Sequence, residues 1–348
     1  MAGSKKSAES TGNRPATSSD VARLANVSQS TVSRVFSDTC KLSDETRKRV
    51  LEAAKQLGYR PNKIARSLVS NRTNIIGIIV MNNESPFYTT LTNLMITACR
   101  KFGFCCMVIR QTPGEQGIDT VTRALDYRVD GIVVTAIEDS ESASEICRQS
   151  SVPIVLLNRY IAGAGVDSVC CDNLEAGSLA AQYLLDNGHR TIACLMGDAA
   201  ASTTRDRLAG LRSKAEERNI SIDWVEYGSY SYESGREMCR KLLADGKRPD
   251  VIFCSGDIIA FGAMDVLRYE LGLRVPEDIS VMGFDDTAET AWASYNLTTM
   301  RQPYEELVET ACQLLVRRIE GKSGGMVRSL HACRLVERGS VQSLQPKE

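Results

Sequence analysis

Five polar residues recur at helical spacing near the N-terminus: Gln29, Ser30, Ser33, Arg34 and Ser37, set among the apolar Val32, Val35 and Phe36. If the apolar side turns inward, one helix face presents an amide, a guanidinium and short hydroxyls. That set matches the edges of nucleic-acid bases. A guanidinium pairs bidentately with guanine and an amide with adenine, while hydroxyls reach phosphates or base edges. Any surface helix is polar outside, so the face alone decides little. Charge adds to it. Residues 1–73 hold fourteen Lys or Arg against six Asp or Glu, a net of +8, and the remainder carries −9 within a chain total of −1. A basic head on an acidic body fits a polyanionic partner.

A second set of groups stands where apolar runs end: Phe87 and Tyr88, Asn158 and Arg159, Arg205 and Arg207, Tyr230, Asp257, and Asp285 with Asp286. Ligands on open α/β sheets sit at the carboxyl ends of strands, so most of these groups are expected to converge on one interlobe cleft. Each also has a plainer reading. Asp257 and Asp286 could cap helices, Arg205 could form a surface pair, and Phe87 and Tyr88 could belong to the core. Catalysis has little support. GxxxxGK[ST], GxGxxG after the first strand and GxSxG are all missing, so neither an enzyme nor a cofactor is expected. Twelve cysteines without a CxxC pair, and two histidines, argue against a metal site. The cysteines read as small buried hydrophobes in a reducing cytosol. The opening MAGSKKSAESTGNRPAT has no apolar stretch, and no run of 18 apolar residues follows, so neither a signal peptide nor a membrane span is expected. A cytoplasmic protein follows from this.

The elements that must position these groups fall into two regimes. Residues 1–16 lack periodicity and read as a disordered tail. Three short helices follow within 17–60. The first is capped at Thr17–Ser19 with Val21, Leu24 and Ala25 inward. The second starts at Ser28 with Val32, Val35 and Phe36 inward. The third starts at Ser43-Asp44-Glu45 with Val50, Leu51, Ala54 and Leu57 inward, and Gly58 stops it. Pro61 breaks the chain, and Asn62 caps one or two further turns within a linker spanning 61–73. From 74 to 341 apolar runs alternate with amphipathic stretches: IIGIIV (75–80), FCCMVI (104–109), GIVV (131–134), PIVLL (153–157), TIACLMG (191–197), VIFCSG (251–256) and ISVMGF (279–284). These read as buried parallel strands joined by crossover helices. The fold class expected is an all-α helix-turn-helix head plus a doubly wound α/β body, and the body's size favours two lobes. Residues 342–348 read as a tail.

The segments TSSDVARLANVSQSTVSRVFSD and LSDETRKRVLEAAKQLGYRPNKIARSL closely resemble the head of the lactose-repressor (LacI) family of regulators. SPFY, DGIVV, LNR, GHRTIA, RxRLAG, FGAM and VPEDISVMGFDDT extend the resemblance along nearly the whole body, to a core like that of periplasmic binding proteins. The resemblance implies a dimeric regulator, a repressor by default, on a near-palindromic operator, controlled by a sugar or sugar derivative. It makes Gln29 and Ser30 the variable base-reading pair and Arg34 the common base contact. It places Ser28, Thr31 and Ser43 at phosphates, with Thr17, Ser19, Ser37 and Asn62 as weaker backbone contacts. Leu68 takes the place of a wedge leucine in a hinge helix within the minor groove, beside the small Ala65. Arg207 and Asp285 become the leading effector contacts, followed by Asn158, Tyr230, Phe87 and Tyr88. The resemblance also implies an N-lobe of about 74–171 and 302–332 and a C-lobe of about 172–299 and 333–341. The chain would cross between them near Cys171–Asn173, Thr298–Pro303 and Ala332–Leu335. One position departs from the pattern: Gly256 stands where the family commonly has an asparagine, which makes the sugar default less secure. The C-terminus carries no leucine heptads, so a tetramer is unsupported and a dimer is expected.

Two other readings share parts of this evidence. A free solute-binding protein would use the same body, but the DNA-type head and the lack of a signal peptide oppose it. An activator of the same family is indistinguishable in sequence, because the sign depends on where the operator lies.

Overall fold

The computed structural model describes residues 14–36, 42–61, 72–81, 85–112, 114–115, 117–135, 150, 152–322 and 324–344. Ser37, Asn62, Ala65 and Leu68 lie outside this set. So do residues 1–13 of the expected N-terminal tail and most of the expected hinge segment. The chain divides into two compact units, residues 1–73 and 74–348.

In the first unit, α1 (Ser18–Ala25), α2 (Gln29–Phe36) and α3 (Asp44–Gln56) enclose a small core. Each start is capped by a hydroxyl. Thr17 and Asp20 form a reciprocal capping box, the Thr31 N–H donates to Ser28 Oγ at 3.1 Å, and the Thr46 N–H donates to Ser43 Oγ at 3.3 Å. Asn26 takes a left-handed conformation (φ 51°) and turns the chain sharply from α1 into α2. Gly58 does the same after α3 (φ 61°). The core holds Val21, Ala22, Ala25, Val32, Val35, Val50, Ala53 and Ala54, with Phe36 and Tyr59 in aromatic contact at its edge. This corrects the expected faces. Leu24 is 50% exposed and Leu51 45%, and Leu57 also faces outward, while Ala22 and Ala53 are buried in their place. Three short helices this close together admit alanine at their crossings more readily than leucine.

The second unit carries two six-stranded sheets. β1 (Ile75–Met81), β2 (Cys105–Gln111), β3 (Gly131–Val134), β4 (Ile154–Leu157), β5 (Asp167–Cys171) and β11 (Arg328–His331) form one, in the order β11-β5-β4-β3-β1-β2. β6 (Ile192–Met196), β7 (Trp224–Tyr227), β8 (Val251–Cys254), β9 (Ser280–Asp285), β10 (Thr298–Arg301) and β12 (Arg334–Val336) form the other, in the order β12-β10-β9-β8-β6-β7. Every pairing is parallel except β10 with β12. Helices cover both faces of each sheet, as parallel strands require. In the N-lobe α4 (Pro86–Lys101) and α10 (Tyr304–Ile319) pack on one face and α5 (Gly117–Asp126) on the other. In the C-lobe α6 (Asn173–Asp186) and α7 (Ser202–Glu216) pack opposite α8 (Tyr232–Leu243) and α9 (Asp257–Asp265).

The chain passes from one sheet to the other three times: from β5 into α6, from β10 into α10, and from β11 into β12. Residues 342–344, expected to begin a tail, instead hydrogen-bond along the C-lobe. The Gln342 N–H donates to Ser280 Oγ (3.2 Å) and the Leu344 N–H to the Asn187 carbonyl (2.7 Å). α6 and α7 cross at van der Waals closeness. A Cβ on Gly177 would stand 2.2 Å from the Arg207 carbonyl oxygen, and one on Gly210 2.0 Å from that of Leu174. The absence of a side chain at these two positions therefore sets where Arg207 enters the cleft.

Candidate functional site

On the head, α2 exposes Gln29, Ser30, Ser33 and Arg34, and buries Val32 and Val35 behind them. Gln29 Nε2 donates to Ser18 Oγ at 2.9 Å, so the amide stands at the junction of α1 and α2. The Ser28, Ser30 and Thr31 hydroxyls form a cluster with contacts of 2.7 and 2.8 Å. Ser19 is exposed on α1, Thr17 is committed to its cap, and Ser43 is exposed at the start of α3. An open depression of about 320 Å³ runs along α3 between Asp44 and Lys55, around the exposed Leu51.

In the body, the carboxyl ends of strands from both sheets face one another across a cleft. A cavity of about 10 Å³, room for one water molecule, is lined by Ser85, Phe87, Tyr88, Asn158, Thr203, Arg207, Tyr230 and Asp285. Six of these belong to the expected set, and Ser85 and Thr203 are additions. Arg207 is buried. Its Nε donates to Asn173 Oδ1 (2.7 Å), it also donates to the Ser255 carbonyl oxygen, and its guanidinium lies 3.5 Å over the Phe284 ring. These contacts fix the side chain before any ligand arrives. Asp285 faces it. Gln302 Nε2 donates to Asp285 Oδ1 at 2.7 Å, and the Tyr304 hydroxyl donates to the Asp285 carbonyl oxygen at 2.8 Å. Asp285 and Asn158 both adopt positive φ (121° and 70°), a conformation that costs energy and concentrates at functional sites. Asn158 Oδ1 is buried without a hydrogen-bond partner among the described residues, and Asn158 lines the cavity.

Tyr230 explains the Gly256 departure. A Cβ on Gly197 would lie 2.1 Å from the Tyr230 ring, and one on Gly256 3.0 Å from it. The ring therefore rests on two bare backbones and covers the place where an amide at 256 would stand. Its hydroxyl is 3.1 Å from Thr204 Oγ1.

Two expected residues are placed elsewhere. Asp257 is fully buried behind Asp285, where its carboxylate accepts from the Thr287 N–H (2.8 Å) and the Thr299 hydroxyl (2.7 Å), so it ties the segment after β9 to strand β10 and does not line the cavity. Arg205 points outward and donates to the Ala200 carbonyl at 2.5 Å, because it lies two residues, and roughly half a turn, from the inward Arg207. Arg159 does not line the cavity, though its charge acts on the Tyr88 hydroxyl. Phe87 is divided between roles: it lines the cavity and packs in the N-lobe core at 5.6 Å from Tyr304. Asp286 is held in ion pairs with Arg301 and Arg338.

Gln302 and Tyr304 were not anticipated. They follow β10 at the second crossover, and that position was the available signal. Contacts across the lobes were not anticipated either. The Tyr160 N–H donates to Ser202 Oγ (3.2 Å) and its hydroxyl to Asp206 Oδ1 (3.1 Å), while the Arg328 guanidinium stacks on the Tyr160 ring at 3.5 Å.

Burial pushes the Asp285 carboxyl up to about 7, although Arg207 and the Gln302 and Asp257 hydrogen bonds pull it down. Burial and the Asp285 charge push Asp257 up as well. A carboxyl raised on folding contributes stability below its unfolded value, near 3.8 here, and that contribution is lost as pH rises through about 7. The wild-type protein is therefore expected to lose stability between about pH 4 and 7 more steeply than Asp285→Asn, by at most one proton, or about 1.4 kcal/mol per pH unit. Thermal unfolding of both proteins across that range measures the difference, and parallel curves would contradict it.

With this geometry in place, comparison with known proteins gives a consistent result. Residues 17–62 match the bacterial regulatory proteins of the lacI family, and residues 181–341 match the periplasmic binding protein-like domain. The chain is 34% identical over 312 residues to the HTH-type transcriptional repressor PurR of Vibrio campbellii (strain ATCC BAA-1116), covering 88% of this chain and 93% of that one. It is 35% identical over 335 residues to PurR of Yersinia enterocolitica serotype O:8 / biotype 1B (strain NCTC 13174 / 8081), covering 94% and 97%. Among solved structures, the lac repressor dimer bound to operator and the anti-inducer ONPF superposes with a TM-score of 0.85 at 27% identity, over 94% of this chain and all of that one. The transcriptional regulator CelR–cellobiose complex gives 0.71 at 31% identity, over 93% and 99%. A helix-turn-helix head, a two-lobed binding body and full-length relatives above 30% identity agree: the chain belongs to the lacI family of bacterial regulatory proteins.

Proposed function

We propose that this protein is a homodimeric transcriptional repressor that holds a near-palindromic operator and changes its grip when a small molecule enters the interlobe cleft. The observation that carries the sensing half is the meeting of Asn158, Arg207, Tyr230 and Asp285 between two sheets joined by three crossovers. A ligand that bridges those groups favours one lobe arrangement over another, and it shifts the equilibrium only by that difference in affinity. The polar face of α2 carries the DNA half. In this reading Gln29, Ser30 and Arg34 contact bases, and Ser28, Thr31 and Ser43 contact phosphates. A dimer is required because two heads must meet two half-sites.

The ligand is a sugar or sugar derivative in this reading. A guanidinium, a carboxyl group and a buried amide oxygen around one cavity suit vicinal hydroxyls. The cellobiose complex of a similar regulator is in keeping with that class. Aromatic Tyr88 and Tyr230 also suit a flat ring, so the ligand screen includes nucleosides beside sugars, sugar acids and polyols. The protein acts by binding and not by catalysis. It works in the cytoplasm beside its operator, and no helix among the described residues is long and apolar enough to cross a membrane.

Selection from a random duplex pool with the full chain tests the DNA half. Enrichment of an inverted repeat, with affinity falling steeply as salt rises, is the expected result. Uniform weak binding to all sequences would contradict it.

A further inference from the structure

Tyr160 follows β4 in the N-lobe and meets two elements that are distant from it in sequence. One is α7 of the C-lobe. The Tyr160 N–H donates to Ser202 Oγ at 3.2 Å, and its hydroxyl donates to Asp206 Oδ1 at 3.1 Å. The other is β11 of the N-lobe. The Arg328 guanidinium lies 3.5 Å over the Tyr160 ring, and its Nη2 stands 3.7 Å from Asp206 Oδ2. The three side chains close a triangle: the arginine rests on the ring, the ring's hydroxyl donates to the carboxylate, and the carboxylate pairs with the arginine. A hydroxyl donating to a carboxylate makes a charge-assisted bond, and a cation over an aromatic face is attracted by the ring's quadrupole. A single ion pair with side chains 47% and 24% exposed contributes little, because water screens it. Here each contact fixes a group that another contact uses, so loss of one loosens the rest.

The triangle joins the lobes away from their covalent connections. Gln302 and Tyr304 also reach Asp285 from the N-lobe, but they follow β10 at a crossover, where the chain itself already holds the lobes together. Ser202 and Asp206 stand one turn apart on α7, so they share the face turned to the N-lobe. Arg207 is the next residue and lines the cavity. A grip on Asp206 therefore also sets how α7 presents Arg207. The cavity between the lobes measures about 10 Å³, so the lobes meet closely while this grip is made.

We propose that Tyr160, Asp206 and Arg328 form a latch at the cleft that holds the two lobes in their closed arrangement before any ligand binds. Closed and open arrangements stand in equilibrium, and the latch weights the closed one. A ligand that bridges Arg207 and Asp285 then meets a state that is already populated. Weakening the latch lowers the apparent affinity of that ligand in proportion to the closed fraction lost. This last consequence rests on the function proposed above, whereas the lobe arrangement is read without ligand or DNA.

The test measures the distance between the lobes in the full-length, ligand-free protein. Spin labels are placed at Tyr127→Cys, exposed just after α5 in the N-lobe, and at Tyr227→Cys, exposed at the end of β7 in the C-lobe. Neither position belongs to the latch or lines the cavity. Cys40, Cys105, Cys106 and Cys147 are replaced by serine, since the other eight cysteines are buried. Labelled protein is diluted into unlabelled protein, and double electron–electron resonance then reads distances within one chain. With the latch intact, one narrow distance is expected. Asp206→Ala and Arg328→Ala should each add a longer-distance population. Their double variant should add no more than the stronger single one, because both break the same triangle. Tyr160→Phe keeps the ring under Arg328 and removes only the hydroxyl, so it should shift the distance in the same direction by less, in a protein that still folds. A merely structural role would lower the melting temperature and leave the distance in the folded molecules unchanged. The proposal is overturned if all three single variants keep the wild-type distance, or if the distance shortens.

Discussion

Replacing Arg34 by alanine is expected to remove sequence discrimination while leaving the protein folded. Arg34 is exposed on α2, and the packing of that helix rests on Val32 and Val35. Alanine is at least as good a helix former as arginine, so the head should keep its stability. A bidentate arginine–guanine contact is worth about 1–3 kcal/mol. A dimer makes it twice, so operator affinity should fall at least roughly 30-fold. Binding to unrelated duplex depends on the whole basic head and should change far less. Titration of operator and scrambled duplexes at one salt concentration separates the two effects. Equal losses on both would assign Arg34 to the phosphates, and unchanged selectivity would remove it from the reading altogether.

Replacing Asp285 by alanine should leave operator binding by the ligand-free protein near normal and abolish the response to ligand. The side chain is buried opposite Arg207, accepts from Gln302, and lines the cavity between the lobes. Loss of a charged hydrogen-bond acceptor costs about 1.5–3 kcal/mol, or roughly 10- to 150-fold in ligand affinity. The position also has φ of 121°, which alanine tolerates poorly. Asp285→Asn keeps the shape and removes the charge, and serves as the second variant. Calorimetry with a ligand from the thermal-shift screen measures both. Affinity within a factor of two of wild type in the asparagine variant would show that the carboxylate is not a ligand contact.

Much of the architecture was legible because the central strands are continuous apolar runs and the head repeats at helical period. What escaped did so for physical reasons. β7 (WVEY) is a half-buried edge strand, and β11 (RSLH) alternates at the other sheet's edge, so neither shows an unbroken apolar signal. β10 (TTMR) is polar yet central, because Thr299 satisfies its hydroxyl on Asp257, and the Thr298 backbone is bonded to Ser340. In the head, hydrophobicity overrated Leu24 and Leu51 against Ala22 and Ala53, since helix proximity favours small volume over apolar character. In the cleft, strand ends located Asn158, Arg207, Tyr230 and Asp285. Sequence order could not separate Arg207 from its neighbour Arg205, because that distinction is a matter of helix phase. Asp257 misled for a related reason. It opens α9 behind Gly256, but Asp285 approaches that helix start and takes the cleft side, leaving Asp257 to the Thr287 backbone and the Thr299 hydroxyl of β10.

In the function proposed above, one ligand-occupied cleft sets the grip of two DNA-reading heads. The direct measurement is operator affinity of the full-length protein, by fluorescence anisotropy, with and without a saturating ligand that raises the melting temperature of the body. A change of roughly 5- to 150-fold is expected, with the same factor in ligand affinity when operator is present. A ligand that occupies the cleft with Asp285-dependent affinity and leaves operator affinity unchanged would contradict it.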